Sequence, residues 1–209
     1  ILDTEKLEWS KPVVTGALPT SRSGHSAVAI AAAIFVFGGQ DFSIPEIYGD
    51  LVVLDTDAFT WSQPSTSGST PTPRNSHSAS VVGNNMIILG GANLGGPLFK
   101  PEVLDTSSMT WTAPELDDMP GREMHTTTRV DDRLFVFGGR NESGLEQNGF
   151  ILAVDSLRLL GMVEIPLVAR CGHAAESVGK NVVVFGGTDM MQPPAFNDTV
   201  VFTFDGTQQ

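Results

Sequence analysis

The sequence predicts an all-β protein built from four-stranded antiparallel sheets repeated along the chain. Three observations carry that prediction. Glycine pairs recur at Gly38-Gly39, Gly90-Gly91, Gly138-Gly139 and Gly186-Gly187, at spacings of 52, 48 and 48 residues. An arginine (Arg22, Arg74, Arg122, Arg170) stands 16 residues before each pair, and a histidine (His25, His77, His125, His173) follows each arginine by three. Those are all 4 histidines of the chain, so their register with the glycines marks an internal repeat. The composition agrees, with 22 glycines and 13 prolines for turns and only 17% charged residues, too few for the polar faces of a helical bundle.

Each repeat divides into four short strands, a to d. Strand a follows the arginine, as in "GHSAVAI". Strand b is the apolar run into the glycines: "IFVFGG", "MIILGG", "LFVFGG", "VVVFGG". Its nearly continuous apolar character predicts a strand covered on both faces. Strand c ends in aspartate and strand d holds a tryptophan six residues later: Asp55 and Trp61, Asp105 and Trp111, and, where the chain opens on "ILDTEKLEW", Asp3 and Trp9. The next copy keeps Asp155 but has Gly161 in the tryptophan position, and a last copy reaches Asp205. Four antiparallel strands in about fifty residues describe a propeller blade. The glycines serve a backbone that bends out of strand b with positive φ close to the neighbouring blade. The tryptophans are expected between adjacent sheets, because a blade cannot cover both of its faces alone.

The glycine pair, the spaced tryptophan and the Arg-x-x-His lead-in resemble the kelch-repeat family over essentially the whole chain, in wording closer to scaffold-type kelch proteins than to the kelch units of BTB-containing ubiquitin-ligase adaptors. The resemblance implies a kelch β-propeller across residues 1–209. The blades are predicted at about 22–64, 74–114 and 122–166, with partial blades at 1–12 and 170–205. Both partial blades contain a c strand, so they cannot merge into one. The expectation is an incomplete ring, an arc of a longer protein.

Net charge is −12, with a pI near 4.5, which disfavours binding to phosphate backbones. No apolar run reaches the length needed to span a bilayer, and no signal peptide is read from the sequence. A single cysteine, Cys171, excludes an intrachain disulfide. Together these predict a cytoplasmic protein without nucleic-acid binding or membrane insertion.

Alternating strand direction sends the b–c and d–a loops to one face. The b–c loops (40–49, 92–100, 140–148, 188–197) are long and all different, and the d–a loops (62–73, 113–120) are also long, whereas the a–b turns are short. Length and variety on one rigid face predict the binding surface. Its aromatic candidates are Phe42, Tyr48, Phe99 and Phe196, with Ile44, Leu94, Met190 and Met191 beside them, against the alternative that they fold back onto their own blades. Arg22, Arg74, Arg122 and Arg170 are candidates for a ring of guanidinium groups holding a carboxylate or an acidic peptide. The alternative is that each pairs with a carboxylate or loop carbonyl of its own blade.

Catalytic and metal chemistry find little support. Repeat register alone accounts for the four histidines without a metal. Cys171 and His173 share a strand side, but the equivalent cysteine positions hold Ser23, Asn75 and Glu123. Among relatives implied by the resemblance, the copper oxidase needs tyrosine, cysteine and histidines that do not converge here. The Glu-x3-Asp-x3-His iron motif of plant specifier proteins is absent. The predicted function is a non-catalytic scaffold, without cofactor or metal, binding a partner protein on the b–c/d–a face, in a cytoskeletal or other larger assembly. The alternatives are a regulatory or targeting domain of a larger enzyme, such as a phosphatase, and a propeller enzyme.

Overall fold

A computed structural model describes residues 1–115, 119–165, 167–191 and 195–203. The end of the last predicted blade (204–205, with Asp205), part of one d–a loop (116–118) and part of one b–c loop (192–194) lie outside the described residues.

Three sheets carry all four strands. The first blade pairs Ser26–Ile30, Ala33–Phe37, Leu51–Asp55 and Thr60–Ser62; the second, Ser78–Val82, Asn85–Leu89, Glu102–Asp105 and Thr110–Thr112; the third, Thr126–Val130, Arg133–Phe137, Gly149–Ala153 and Leu159–Val163. The last blade shows Ala174–Val178, Asn181–Phe185 and Thr199–Thr203. Consecutive strands within these sheets are antiparallel, and a small hairpin, Leu2–Asp3 with Glu8–Trp9, precedes them. The blades sit side by side in a β-propeller arrangement.

The c–d turn explains the recurrent aspartate. Asp55 Oδ1 accepts the amides of Asp57 (2.9 Å) and Ala58 (2.8 Å), and Asp3 does the same for Glu5 and Lys6 (3.0 Å each). The turn then passes through a left-handed residue, Phe59 in the first blade (φ 49°) and Met109 in the second (φ 51°). The threonine directly after the aspartate ties this turn to the a–b turn, with Thr56 donating to Ala32 O.

Two segments read from sequence as loop or linker form short strands instead. Thr15–Gly16 and Ser67–Gly68 lie parallel to strand d of the first and second blades. They cover edges that would otherwise present unpaired backbone groups. The b–c loops are likewise not plain loops: Gln40–Asp41 pairs with Glu46–Ile47, Ala92–Asn93 with Gly96–Pro97, and Arg140–Asn141 with Gly144–Leu145.

Apolar side chains fill the three inter-blade seams. Phe35, Phe37 and Leu51 meet Met86, Ile88, Leu104 and Trp111 in the first; Ile87 and Leu89 meet Leu134, Val136 and Phe150 in the second; Phe135, Phe137 and Ile151 meet Val182 and Val184 in the third. The alternate residues of one strand therefore face opposite seams, which is why strand b is apolar throughout. Only one tryptophan meets its expectation in full. Trp111 packs against Phe37 with ring centroids 5.3 Å apart, and burying such a ring contributes about 4–6 kcal/mol before entropy. Trp61 pairs with Leu54 on the blade face turned away from the second blade and is half-buried, and Trp9 on the first hairpin is exposed.

Both residues of the glycine pair have positive φ (66° and 95° at Gly38 and Gly39). At Gly90 (φ 64°) a Cβ would come within 2.5 Å of His125 Cε1 and 2.6 Å of Arg122 O in the next blade. Gly90→Ala should therefore lower stability by about 2–4 kcal/mol, from left-handed strain plus displacement of the neighbouring blade. Gly179→Ala has equal strain (φ 62°) but open space, and should cost only about 1 kcal/mol. Urea denaturation of the two variants measures the difference.

Candidate functional site

The repeated arginine and histidine build the junctions between blades. Arg22, Arg74, Arg122 and Arg170 each direct Nη1 to the carbonyl of the first glycine of their own blade, at 3.0 Å in all four. The backbone carbonyl of the arginine turns to the preceding blade. Arg74 O, Arg122 O and Arg170 O accept the amides of Gly39 (2.9 Å), Gly91 (2.8 Å) and Gly139 (2.8 Å). The histidine three residues on shares a hydrogen bond with a hydroxyl of the preceding blade: His77 with Ser26 (2.7 Å), His125 with Ser78 (2.9 Å), His173 with Thr126 (2.9 Å). The residue before each histidine is left-handed, and these residues link blade to blade, from Ser76 N to Gly24 O (2.7 Å), Met124 N to Ser76 O (2.8 Å) and Gly172 N to Met124 O (2.9 Å). This chain of amides rims a cavity of about 190 Å³ lined by the four histidines and the residues before them.

The guanidinium groups are held inside the blades. Arg22 and Arg170 take bidentate carboxylates, Asp50 (2.6 and 3.0 Å) and Asp198 (2.8 and 2.9 Å), and Arg74 pairs with Glu102 at 2.9 Å. All three acids lie 28 residues after their arginine; in the third blade that position is Phe150. Arg122 instead stacks over the Phe150 ring, 4.0 Å from its centroid, with Glu146 from the b–c loop 3.7 Å away. Burial pulls the Arg122 guanidinium down to about 10 despite Glu146, and its Nε has no partner among the described residues. The aromatic candidates divide in the same way. Tyr48 and Phe196 lie under Arg22 and Arg170, at 4.4 and 4.6 Å, and Phe99 meets Phe150 edge-on at 6.0 Å in the second seam. Phe42 stands free, 80% exposed, as do Leu94 (89%) and Met191 (81%) on the b–c loops of the second and last blades.

Beside the left-handed residues, short backbone bridges join Ser23 to Gln40, Asn75 to Ala92, Glu123 to Arg140 and Cys171 to Thr188. The third of these pairs carries a charged contact that the sequence reading did not single out. Arg140 binds Glu123 at 2.8 Å through Nε and Nη2, remains 42% exposed, and reaches Met190 Sδ at 3.9 Å. The available signal was paired variation: both slots change chemistry together from repeat to repeat. Cys171 is buried and burial pushes its thiol up. Its neighbour His173 is engaged with Thr126, so the two do not form a nucleophile pair. Among the described residues no three His, Cys, Asp or Glu side chains are grouped to hold a metal ion.

The family described as the KLHDC2/KLHL20/DRC7 Kelch-repeats domain matches residues 1–158. Kelch domain-containing protein 3 of Bos taurus is 34% identical over 221 aligned residues, covering 95% of this chain and 58% of that protein. Host cell factor of Drosophila melanogaster is 30% identical over 84% of this chain and 14% of its own length. Acyl-CoA-binding domain-containing protein 4 of Arabidopsis thaliana is 28% identical over 91% of this chain and 29% of its own. The chain thus spans about two fifths to three fifths of the first relatives it matches.

Two outcomes test the junction chemistry. Burial, followed by the nearby arginine, holds His77 and His125 near 3 and His173 near 4, against 6.5 when unfolded. Below 6.5 the unfolded chain binds more protons, so this stability is complete above that pH and is lost as pH falls toward 4 for His173 and toward 3 for His77 and His125. Each histidine contributes a slope of up to about 1.4 kcal/mol per pH unit. The urea midpoint should fall between pH 7 and pH 5, and His125→Asn should flatten the dependence. Separately, Glu102→Gln should cost about 3–5 kcal/mol by leaving Arg74 buried without its carboxylate. Glu146→Gln, at the looser and more exposed contact, should cost about 1 kcal/mol or less by the same denaturation assay.

Proposed function

Because this chain belongs to the kelch-repeat family, we propose that it is a non-catalytic protein-interaction scaffold that captures a partner protein on the face carrying its b–c and d–a loops. The observation that carries this reading is the exposure of Phe42, Leu94 and Met191 on b–c loops of three different blades. Large apolar side chains held clear of the blades by a rigid base suit the core of an interface. Arg22, Arg74, Arg122 and Arg170 serve the same face from beneath, fixing loop bases; the partner meets the residues above them. Tyr48, Phe99 and Phe196 belong to that support, and Phe42 to the contact. The acidic charge favours a protein partner over nucleic acid.

The working location is the cytoplasm, within a larger assembly. The arc is part of a longer protein, in which further blades cover the open face of the last sheet, where Val178, Phe185 and Val201 are exposed. The low coverage of the acyl-CoA-binding domain-containing protein and of host cell factor also favours a second reading, in which the propeller is the targeting arm of a larger protein whose activity lies elsewhere.

Replacing Phe42, Leu94 and Met191 with serine together should reduce partner recovery in affinity purification at least tenfold while the melting temperature is retained. Phe99→Ser should instead lower stability by about 2–3 kcal/mol, because its ring lies in the second seam. Unchanged recovery by the triple variant contradicts the assignment of this face.

A further inference from the structure

The b–c hairpin of the first blade encloses, with Leu94 of the second, a groove of about 310 Å³. Its apolar lining comes from Phe42, Ile44, Pro45, Ile47 and Leu94. Two carboxylates stand on the same hairpin as a cross-strand pair, Asp41 opposite Glu46. Like charges placed directly opposite each other destabilise a strand pair, so this hairpin keeps an arrangement unfavourable to itself. Asp41 is fixed, its Oδ1 accepting the Ser43 amide at 2.8 Å and hydroxyl at 2.6 Å. Those bonds hold its carboxyl below the usual range, and hence ionised. The Glu46 carboxylate has no hydrogen-bond or ion-pair partner among the described residues. No lysine, arginine or histidine lines the groove, and the chain as a whole carries a net charge of −12.

We infer that this groove receives a short segment of the partner protein in which an arginine or lysine adjoins a large apolar side chain. The apolar residue lies against Phe42, Ile44 and Leu94, and the cation is placed between Asp41 and Glu46, relieving the repulsion of that pair. The surrounding negative field draws such a segment in and repels acidic ones. This assignment rests on the interaction-scaffold reading and adds the chemistry of the ligand to it.

The test is selection of random linear twelve-residue peptides displayed on phage against the whole chain. Enriched peptides are then resynthesised with blocked termini and titrated by fluorescence anisotropy. Binders should be enriched in arginine or lysine next to leucine, isoleucine, phenylalanine or methionine. Their affinity should fall at least tenfold with Phe42→Ser and with Glu46→Lys, about threefold with Glu46→Gln, and several-fold between 50 and 500 mM salt. Both residues are exposed, and a melting curve for each variant confirms that it remains folded. Enrichment of acidic or uncharged peptides, binding insensitive to Glu46→Lys, or the recovery of no peptide that depends on Phe42 overturns the assignment. If any of these occurs while the Phe42, Leu94 and Met191 variant still loses its protein partner, the scaffold reading stands and only the basic-segment assignment falls.

Discussion

The fold depends on the hydrogen-bonded junction that joins each blade to the next. A four-stranded sheet that is apolar on both faces gains stability only when another sheet covers it, but apolar contact alone does not set the angle or height at which two sheets meet. Directional bonds do. The second glycine of one blade donates to the arginine carbonyl of the following blade, the histidine of that following blade reaches back to a hydroxyl, and the left-handed residue beside it extends the chain of amides. The bond from the second glycine closes only where the first glycine carries no side chain, and burial favours the neutral form of the histidine beside it. Glycine, arginine and histidine therefore recur together because they are parts of one device.

That device also frees the loops. Once an arginine is anchored to its own glycine carbonyl and to a carboxylate at the mouth of strand c, the b–c segment above it can vary without loosening the blade. The third blade shows how far this tolerance extends. With Phe150 in the carboxylate position, the guanidinium stacks on the ring and borrows Glu146 from the loop itself. Glu146 is shared with Asn141, so in this blade the loop and the arginine are mechanically joined. Elsewhere the support belongs to strand c, and the loop tips, with Phe42, Leu94 and Met191, carry no structural duty that would hold them inward.

The blades were legible because their signals are periodic and backbone-driven: the glycine pairs and the apolar b strands fall where the sheet register requires them. The role of the arginines was half legible. Their equivalence and the option of a carboxylate partner in the same blade were plain, and the constant 28-residue offset of Asp50, Glu102 and Asp198 lay in the sequence; the stacking of Arg122 on Phe150 did not. Phe42 and Tyr48 show the same limit. Six residues apart on one loop, both are aromatic, yet one is free and the other lies beneath Arg22, a distinction set by the small hairpin at 40–47 that no local pattern announced. The Thr15–Gly16 and Ser67–Gly68 strands were hidden for a related reason, since their partners are distant strands and their composition is that of a loop. The Glu123–Arg140 contact escaped because it occurs once, in a slot that other repeats fill with neutral residues.

Native-state hydrogen exchange at the amides of Gly39, Gly91 and Gly139 tests the central claim most directly, since each donates across a blade junction. If the junctions hold the propeller together, these amides exchange only through global unfolding, with the same free energy and denaturant dependence as the amides of strand b. Exchange at loop-like rates, while strand b stays protected, would mean that the blades stand independently of the bonds between them.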